Sequence, residues 1–383
     1  MLLIILFKFK IIHSENEITL TINGKGKQQI LSTYHGTCGG NSPIFDSLPD
    51  QIFVNGILQN YRDKYVYNLA NQTNRITMKW NNSLTNCNIM FTGLKNIIKI
   101  DLSKFDSSQV TDMGCMFFNC TSLESLNLNN FKTSLVTNMV SMFESCTSLK
   151  ILDLKSFDTS NVTTMKSMFY MCNSLISLDL SNFNTSKVNN MQTMFYHCIS
   201  LKILDVKSFD TSKVTWMCYI FYYCDSLISL DLSNFNTSKV NNMDQMFEHC
   251  ISLIRLNLIN FDMSKVTTKT KMFYDVNSLL IYCINDASEI ALENVITKFK
   301  KNCSDLCFKN SSKIIIGKNI CIDDCNKDMI YKFDYNNICY NSCPKWTHNS
   351  SYNNYICEED FICDNYYNYN HTGCLIIFLK VII

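Results

Sequence analysis

Cysteine is the residue type whose number and spacing could do the most chemistry in this chain of 383 residues. There are 20 cysteines, enough for a disulfide framework in an oxidising compartment. Several of those near the C-terminus follow a C-x3-C pattern that recurs every 18 residues. Zinc ribbons use C-x2-C, so disulfides are favoured over zinc. The ten disulfide candidates are Cys283, Cys303, Cys307, Cys321, Cys325, Cys339, Cys343, Cys357, Cys363 and Cys374.

A second group of cysteines recurs every 26 residues. These are Cys120, Cys146, Cys172, Cys198, Cys224 and Cys250. Such a column suggests a stack of disulfides, a row of metal ligands, or a buried row of small hydrophobic side chains. At the ends of the array the column becomes Leu94 and Val276, which can neither bind a metal nor form a disulfide. We therefore predict a core ladder, with no metal site and no cofactor.

Acidic and amide side chains form a third row with the same step. They are Asp101, Asn127, Asp153, Asp179, Asp205, Asp231 and Asn257. Stacked at a strand spacing of about 4.8 Å, they would form an acidic ladder, with Lys155 and Lys207 beside it to relieve the repulsion. This row is the candidate binding face, and the alternative is a solvated row that supports turns. A Ca²⁺ site is disfavoured because no D-x-D-x-D-G loop is present.

One repeat of 26 residues positions the ladder cysteines and the acidic row between about 87 and 284. Its first part, L-x-x-L-D-L, alternates as a strand does. Its second part, V-T-x-M-x-x-M-F-x-x-C, has apolar residues three and four apart, which is typical of a helix, and the Thr or Asn after each Val is a good N-cap. We therefore predict an α/β solenoid of strand-helix units, with a parallel sheet on its concave face.

The repeat unit resembles the 26-residue repeat of BspA-like leucine-rich repeat surface proteins, because Phe, Ser, Val, Met-Phe and Cys all fall in phase. The resemblance implies a leucine-rich-repeat-type solenoid displayed on a cell surface and used for adhesion or protein binding. It implies no catalytic residues.

The rest of the chain is organised around this array. We predict a candidate signal segment, a β-rich N-terminal cap marked by Asn-Gly pairs, the solenoid, a helical C-terminal cap, a Cys-rich disulfide module, and an apolar tail that could begin a truncated membrane segment. In that order, the ranges are 1–13, 14–86, 87–284, 285–302, 303–374 and 375–383.

Composition and the motifs that are missing argue against several functional classes. The net charge is +1 and only 17% of residues are charged, so no basic nucleic-acid surface is expected. No metalloprotease, hydrolase or nucleotide-binding motif is found. We expect a non-enzymatic cell-surface or secreted protein that binds a protein or glycan ligand on a host or neighbouring cell, with membrane attachment through the C-terminal segment. Ten N-x-S/T sequences give weak support to export and glycosylation. The alternatives are the ectodomain of a signalling receptor and an intracellular scaffold with reduced cysteines.

Overall fold

The computed structural model describes residues 16–33, 48–60, 65–296 and 298–303, together with six short strands between 313 and 359. The chain divides into two compact units, Met1–Cys303 and Ser304–Ile383. The candidate signal segment and the apolar tail lie outside the described residues. Within the part that is described, no helix is both long and apolar enough to cross a membrane.

Six strands form the N-terminal cap. They are β1 (Asn16–Asn23), β2 (Gly26–Gln29), β3 (Gln51–Val54), β4 (Ile57–Leu58), β5 (Val66–Leu69) and β6 (Thr73–Trp80). β1 pairs antiparallel with β6, and on its other side with β7 (Ile97–Lys104), so the cap sheet runs directly into the first coil of the solenoid. Ile18, Leu20 and Ile22 alternate inward along β1 and are fully buried, which is the pattern of a strand with one core face.

Parallel strands follow one another along one side of the solenoid, which we call the strand side. They are β7, β8 (Ser125–Asn127), β9 (Ser177–Asp179), β10 (Ile203–Asp205), β11 (Ser229–Asp231), β12 (Arg255–Leu258), β13 (Ile281–Ile284) and β14 (Lys300–Lys301). A second ladder of single parallel bridges joins positions 26 residues apart, from Asn86 to Thr268. Each repeat is therefore one coil of a β-solenoid.

The prediction of an α/β leucine-rich-repeat-type solenoid of strand-helix units is wrong. The M-x-x-M-F-x-x-C segments form consecutive turns, and we call this part of each coil the turn side. The described residues contain one α-helix, α1 (Asp286–Ile296), which follows the last coil. Two residues four apart in each turn segment have positive φ, such as Ser167 (55°) and Met171 (56°), and this left-handed conformation interrupts any helix.

Backbone hydrogen bonds explain why the sequence wrongly suggested a helix in each repeat. Along the turn side, the N–H of Met168 donates to the Met165 carbonyl three residues back (3.2 Å), whereas the N–H of Phe169 donates to Met194 of the next coil (2.9 Å). Three-residue turns repeat the apolar spacing of a helix without its i−4 bonds. The predicted N-cap threonines are not caps either, because the Thr163 hydroxyl donates to the Thr137 carbonyl of the preceding coil (3.1 Å).

Stacked side chains fill the space between the two sides. One row of phenylalanines on the turn side stacks from Phe91 to Phe273, with ring centroids 5.3 to 5.9 Å apart. A second row runs from Phe105 to Phe261 beside the strands, and the repeat leucines and methionines pack around both rows. At the last coil, Phe299 contacts Phe273 edge-on at 6.1 Å and continues the core.

The second unit is described through six short strands. They are β15 (Lys313–Ile315), β16 (Ile320–Ile322), β17 (Phe333–Tyr335), β18 (Ile338–Tyr340), β19 (Thr347–Asn349) and β20 (Cys357–Glu359). The first four form one sheet in the order β16-β15-β18-β17, and β19 pairs antiparallel with β20.

Candidate functional site

The cysteine ladder lies in the core and is held there by hydrogen bonds. All six side chains are fully buried and none is in a disulfide. Each thiol donates to a carbonyl of the preceding coil, as Cys198 does to Phe169 (3.1 Å). Burial raises the pKa of Cys120, Cys198 and Cys250 to about 12, so these thiols stay protonated at neutral pH. The described residues contain no cluster of three or more side chains that could hold a metal ion.

Cysteines outside the ladder behave differently. Cys283 of β13 and Cys303 form a disulfide with an S–S distance of 2.09 Å, which joins the last coil to the segment after α1. Cys115 is also disulfide-bonded, whereas Cys218 is free and buried. Among the remaining disulfide candidates, Cys321, Cys339 and Cys357 lie in the described strands β16, β18 and β20. The others, which lie outside the described residues, are Cys307, Cys325, Cys343, Cys363 and Cys374.

The predicted acidic row lies on the strand side, and every member holds a local turn. In each case the side-chain oxygen accepts the backbone N–H two residues later, at 3.0 to 3.2 Å. Lys155 and Lys207 provide two of these N–H groups, and their own side chains are exposed. The pKa of Asp179 is lowered by hydrogen bonds from the Ser181 hydroxyl and N–H. One oxygen of each residue therefore has a structural role in closing a turn.

Exposed isoleucines lie beside this row, and sequence reasoning missed them. Ile151 and Ile203 are 65% and 59% exposed and occupy the same column two coils apart, while Ile176 is 44% exposed in the coil between them. The sequence signal that could have found them is strand alternation. Ile151 and Asp153 point outward because Leu152 between them points inward, and Ile203 occupies the same column as Ile151.

A buried threonine row at the corner after each strand was also missed. It comprises Thr133, Thr159, Thr185, Thr211 and Thr237. The Thr211 hydroxyl donates to the Asn236 carbonyl (2.9 Å) and accepts the Asn236 N–H (2.8 Å), so one side chain satisfies both backbone groups of a residue in the next coil. These two bonds use the donor and one acceptor site of a buried hydroxyl, so the row has a structural role.

The turn side carries a cluster of half-buried rings, which we call the aromatic strip. Tyr170, Tyr196 and Tyr222 stack face to face, with centroids 4.4 and 4.6 Å apart. In the next column, Tyr223 stacks between His197 (5.5 Å) and His249 (4.0 Å). The strip is completed by Tyr219, edge-on to Tyr222 at 5.8 Å.

Family comparison gives one result. A family described as "Mycoplasma protein of unknown function, DUF285" matches residues 63–175, 145–229 and 200–306, which overlap and together cover more than half of the chain. The chain belongs to the DUF285 family. No curated protein matches it.

The DUF285 repeats determine which side chains are available for contact with a partner. The repeated Cys, Met and Phe columns and the corner threonine row are buried, and the repeated Asp column holds turns. Several exposed side chains that differ from coil to coil lie on two faces: the isoleucines of the strand side, and the aromatic strip of the turn side. These faces can contact a partner through apolar, charged and hydrogen-bonding surface.

Proposed function

We propose that this DUF285-family protein is a non-enzymatic binding protein that presents the strand side of its solenoid to a protein ligand at the cell surface or outside the cell. The observation that carries the proposal is the group of exposed isoleucines, Ile151, Ile176 and Ile203, beside the acidic row. Clustered apolar side chains with charges around them are typical of a protein-binding face, in which apolar contacts supply affinity and charges supply orientation.

A binding role rather than catalysis is supported by the state of the reactive groups. The ladder thiols are buried and protonated, so they cannot act as nucleophiles. Hydrogen bonds from the Ser181 hydroxyl and N–H lower the pKa of Asp179 and make it a weaker base. Both features suit a rigid scaffold.

A location at the cell surface or outside the cell is supported by the disulfide at the end of the solenoid, by the C-terminal cysteine pattern and by the resemblance of the repeat to BspA-like surface proteins. Thiol counting by mass spectrometry on the native full chain, isolated with alkylation in its source cells, tests this location. Cys283 and Cys303 should resist alkylation until reduced. Their ready alkylation in native protein would contradict the location.

The binding face is tested with variants that the repeat itself supplies. The column of Ile151 and Ile203 holds serine in three neighbouring coils, at Ser125, Ser177 and Ser229, so the double variant I151S/I203S should fold. Binding of the full chain to a panel of extracellular glycoproteins and to intact cells is measured by surface plasmon resonance and flow cytometry. We expect at least about a tenfold loss of affinity, or about 1.4 kcal/mol.

The acidic row has its own matched variant. Asn127 and Asn257 occupy the same column and hold the same turn, so D179N/D205N/D231N removes charge while retaining the hydrogen bonds. A charge-guided interface predicts slower association and a weaker dependence of binding on salt. If neither the isoleucine nor the asparagine variant changes binding, or if no panel protein and no cell binds, the proposal is wrong.

A further inference from the structure

We propose that the aromatic strip is a second binding surface, independent of the strand side, and that it takes a segment of a partner protein rich in lysine and arginine. The strip comprises seven rings from four neighbouring coils. All seven are half-buried. Because the rings of each column cover one another's faces, the surface left to a partner consists mainly of ring edges and phenolic oxygens. His249 Nδ1 already lies 2.7 Å from a carboxylate oxygen of Asp275.

The fold itself does not require rings at these positions. The column of Tyr170, Tyr196 and Tyr222 holds Glu144 one coil earlier and Glu248 one coil later. The column of Tyr223 holds Asn119 and Ser145 in the first coils, and both adopt the same positive φ, 58° and 61° against 55° at Tyr223. The rings are concentrated in the middle coils, where a partner could contact several at once, and stability of the repeat does not explain that concentration.

Carboxylates border the strip, so we expect its partner to be positively charged. They are Glu144, Asp225, Asp244, Glu248 and Asp275. Glu144 and Glu248 lie at the two ends of the tyrosine column, and the pKa of Tyr222 is raised to about 12 by burial and by neighbours that include Glu248. One buried oxygen of Asp225 has no hydrogen-bond partner among the described residues. An anionic ligand would be repelled here, whereas ammonium and guanidinium groups would find both carboxylate and phenolic acceptors.

One contact between a lysine and a tyrosine is already present within the solenoid. Tyr274 lies in the same column as Tyr222, two coils further on, and is 59% exposed because no ring of a following coil covers it. The ammonium of Lys271 lies 5.1 Å from the centre of the Tyr274 ring. Tyr274 therefore shows that a lysine can lie beside a tyrosine of this column; in the strip, where the ring faces are covered, a partner's lysine would instead meet phenolic oxygens and carboxylates. Lys166 lies near Glu144 at one end of the tyrosine column.

The test uses the full chain and defined peptides. Fluorescein-labelled deca-arginine, deca-lysine and deca-glutamate are titrated, and binding is followed by fluorescence anisotropy at two salt concentrations. We expect the two basic peptides to bind, deca-glutamate not to bind, and affinity to fall as salt rises. The strip variant is H197N/Y223S, which introduces residue types that the same column holds at Asn119 and Ser145. It should weaken binding of the basic peptides at least about tenfold.

Two controls keep the outcomes distinct. A thermal unfolding curve for H197N/Y223S establishes that the variant is folded. The strand-side variants I151S/I203S and D179N/D205N/D231N should retain peptide affinity within about threefold, a change of about 0.65 kcal/mol. If the asparagine variant loses the peptide and the strip variant keeps it, basic segments bind the acidic row and the strip proposal is overturned. Equal binding of deca-glutamate, or no binding of any peptide, also overturns it and leaves the proposed strand-side function to its own test.

Discussion

The strand side and the turn side of each coil satisfy their backbone groups in different ways. On the strand side, an Asp or Asn oxygen accepts the N–H two residues later and the strands pair in parallel, as Asp205 does with Lys207 (3.0 Å). On the turn side, successive N–H groups donate alternately to a carbonyl three residues back and to the next coil. One side depends on a side chain at a given position, and the other depends on backbone conformation.

The turn side of each coil has a strained backbone, and interactions with neighbouring coils must offset that strain. Each turn segment places two residues in the left-handed region, at a cost of about 1–2 kcal/mol for each residue other than glycine. The hydrogen bonds to the next coil and the stacked phenylalanines must outweigh that cost. Stability of the turn side is therefore a property of neighbouring coils together, whereas a strand-side turn is closed within one coil.

The largest expected effect comes from breaking the turn-side core. Phe195 is fully buried and stacks at 5.7 Å on Phe169 and Phe221. Phe195→Ala should lower the free energy of unfolding by about 3–5 kcal/mol, because it removes both the buried surface and the contact between three coils. Ile176→Ala on the strand side is the control and should change it by less than about 0.5 kcal/mol, since that side chain is exposed. Urea unfolding measures both, and a loss below about 1 kcal/mol for Phe195→Ala would contradict the assigned core.

The next effect concerns the corner that joins the two sides. Thr211→Val retains the shape of the buried side chain but removes the hydroxyl that bridges the N–H and carbonyl of Asn236, so two backbone groups at this part-buried corner lose their partner. We expect a loss of about 1–3 kcal/mol. Thr163→Val is the matched control, because its hydroxyl bond to Thr137 is exposed and water can replace it. Equal effects in urea unfolding would show that burial of the corner hydroxyl contributes nothing.

The sequence predicts well which residues share a column and are buried, but it predicts poorly the backbone conformation of the segments that carry them. Period and apolar spacing indicate that Phe195 and the ladder cysteines belong to one repeated core, since burial depends on which residues recur. The choice between helix and turn at Met165–Cys172 depends on whether an N–H bonds four residues back or 25 residues ahead. Spacing of three and four satisfies both, so the pattern could not decide between them.

Surface function was equally hard to predict, for a related reason. The acidic row was visible because it repeats, but its members also hold turns, as the alternative interpretation anticipated. The aromatic strip breaks the repeat, so it becomes visible only when columns are compared coil by coil and Tyr196 is set beside Glu144 and Glu248. In this repetitive chain, the residues that recur mainly build the scaffold, and the departures from the repeat are where we propose that a partner binds.

A glycine substitution tests whether the turn segment has the left-handed conformation or is helical, because the two differ in the expected sign of the change in stability. Ser145 has a φ of 61°, so Ser145→Gly relieves about 1–2 kcal/mol of strain while adding about 0.5–1 kcal/mol of chain entropy. Thermal unfolding should show unchanged stability or a gain of up to about 1.5 kcal/mol. Ser134→Gly, at an ordinary φ in the preceding turn, should lose several tenths of a kcal/mol. A clear loss for Ser145→Gly would favour the helix that the sequence suggested.

The smallest effect is a dependence on pH at the corner beside the strands. Hydrogen bonds from the Ser160 hydroxyl and N–H lower the pKa of Asp158, and Ser212 does the same for Asp210. A carboxylate with a lowered pKa in the folded state adds stability above its ordinary value of 3.8, and that stability is lost as pH falls through the folded value. Asn184 holds the same turn without charge, so D158N/D210N should fold normally and lose less stability than the parent chain as pH falls below 3.8. Both carboxylates are exposed, so the difference should be about a few tenths of a kcal/mol and should shrink in salt. Urea unfolding curves that shift equally with pH in both proteins would show that these turns depend on geometry alone, as those of the turn side do.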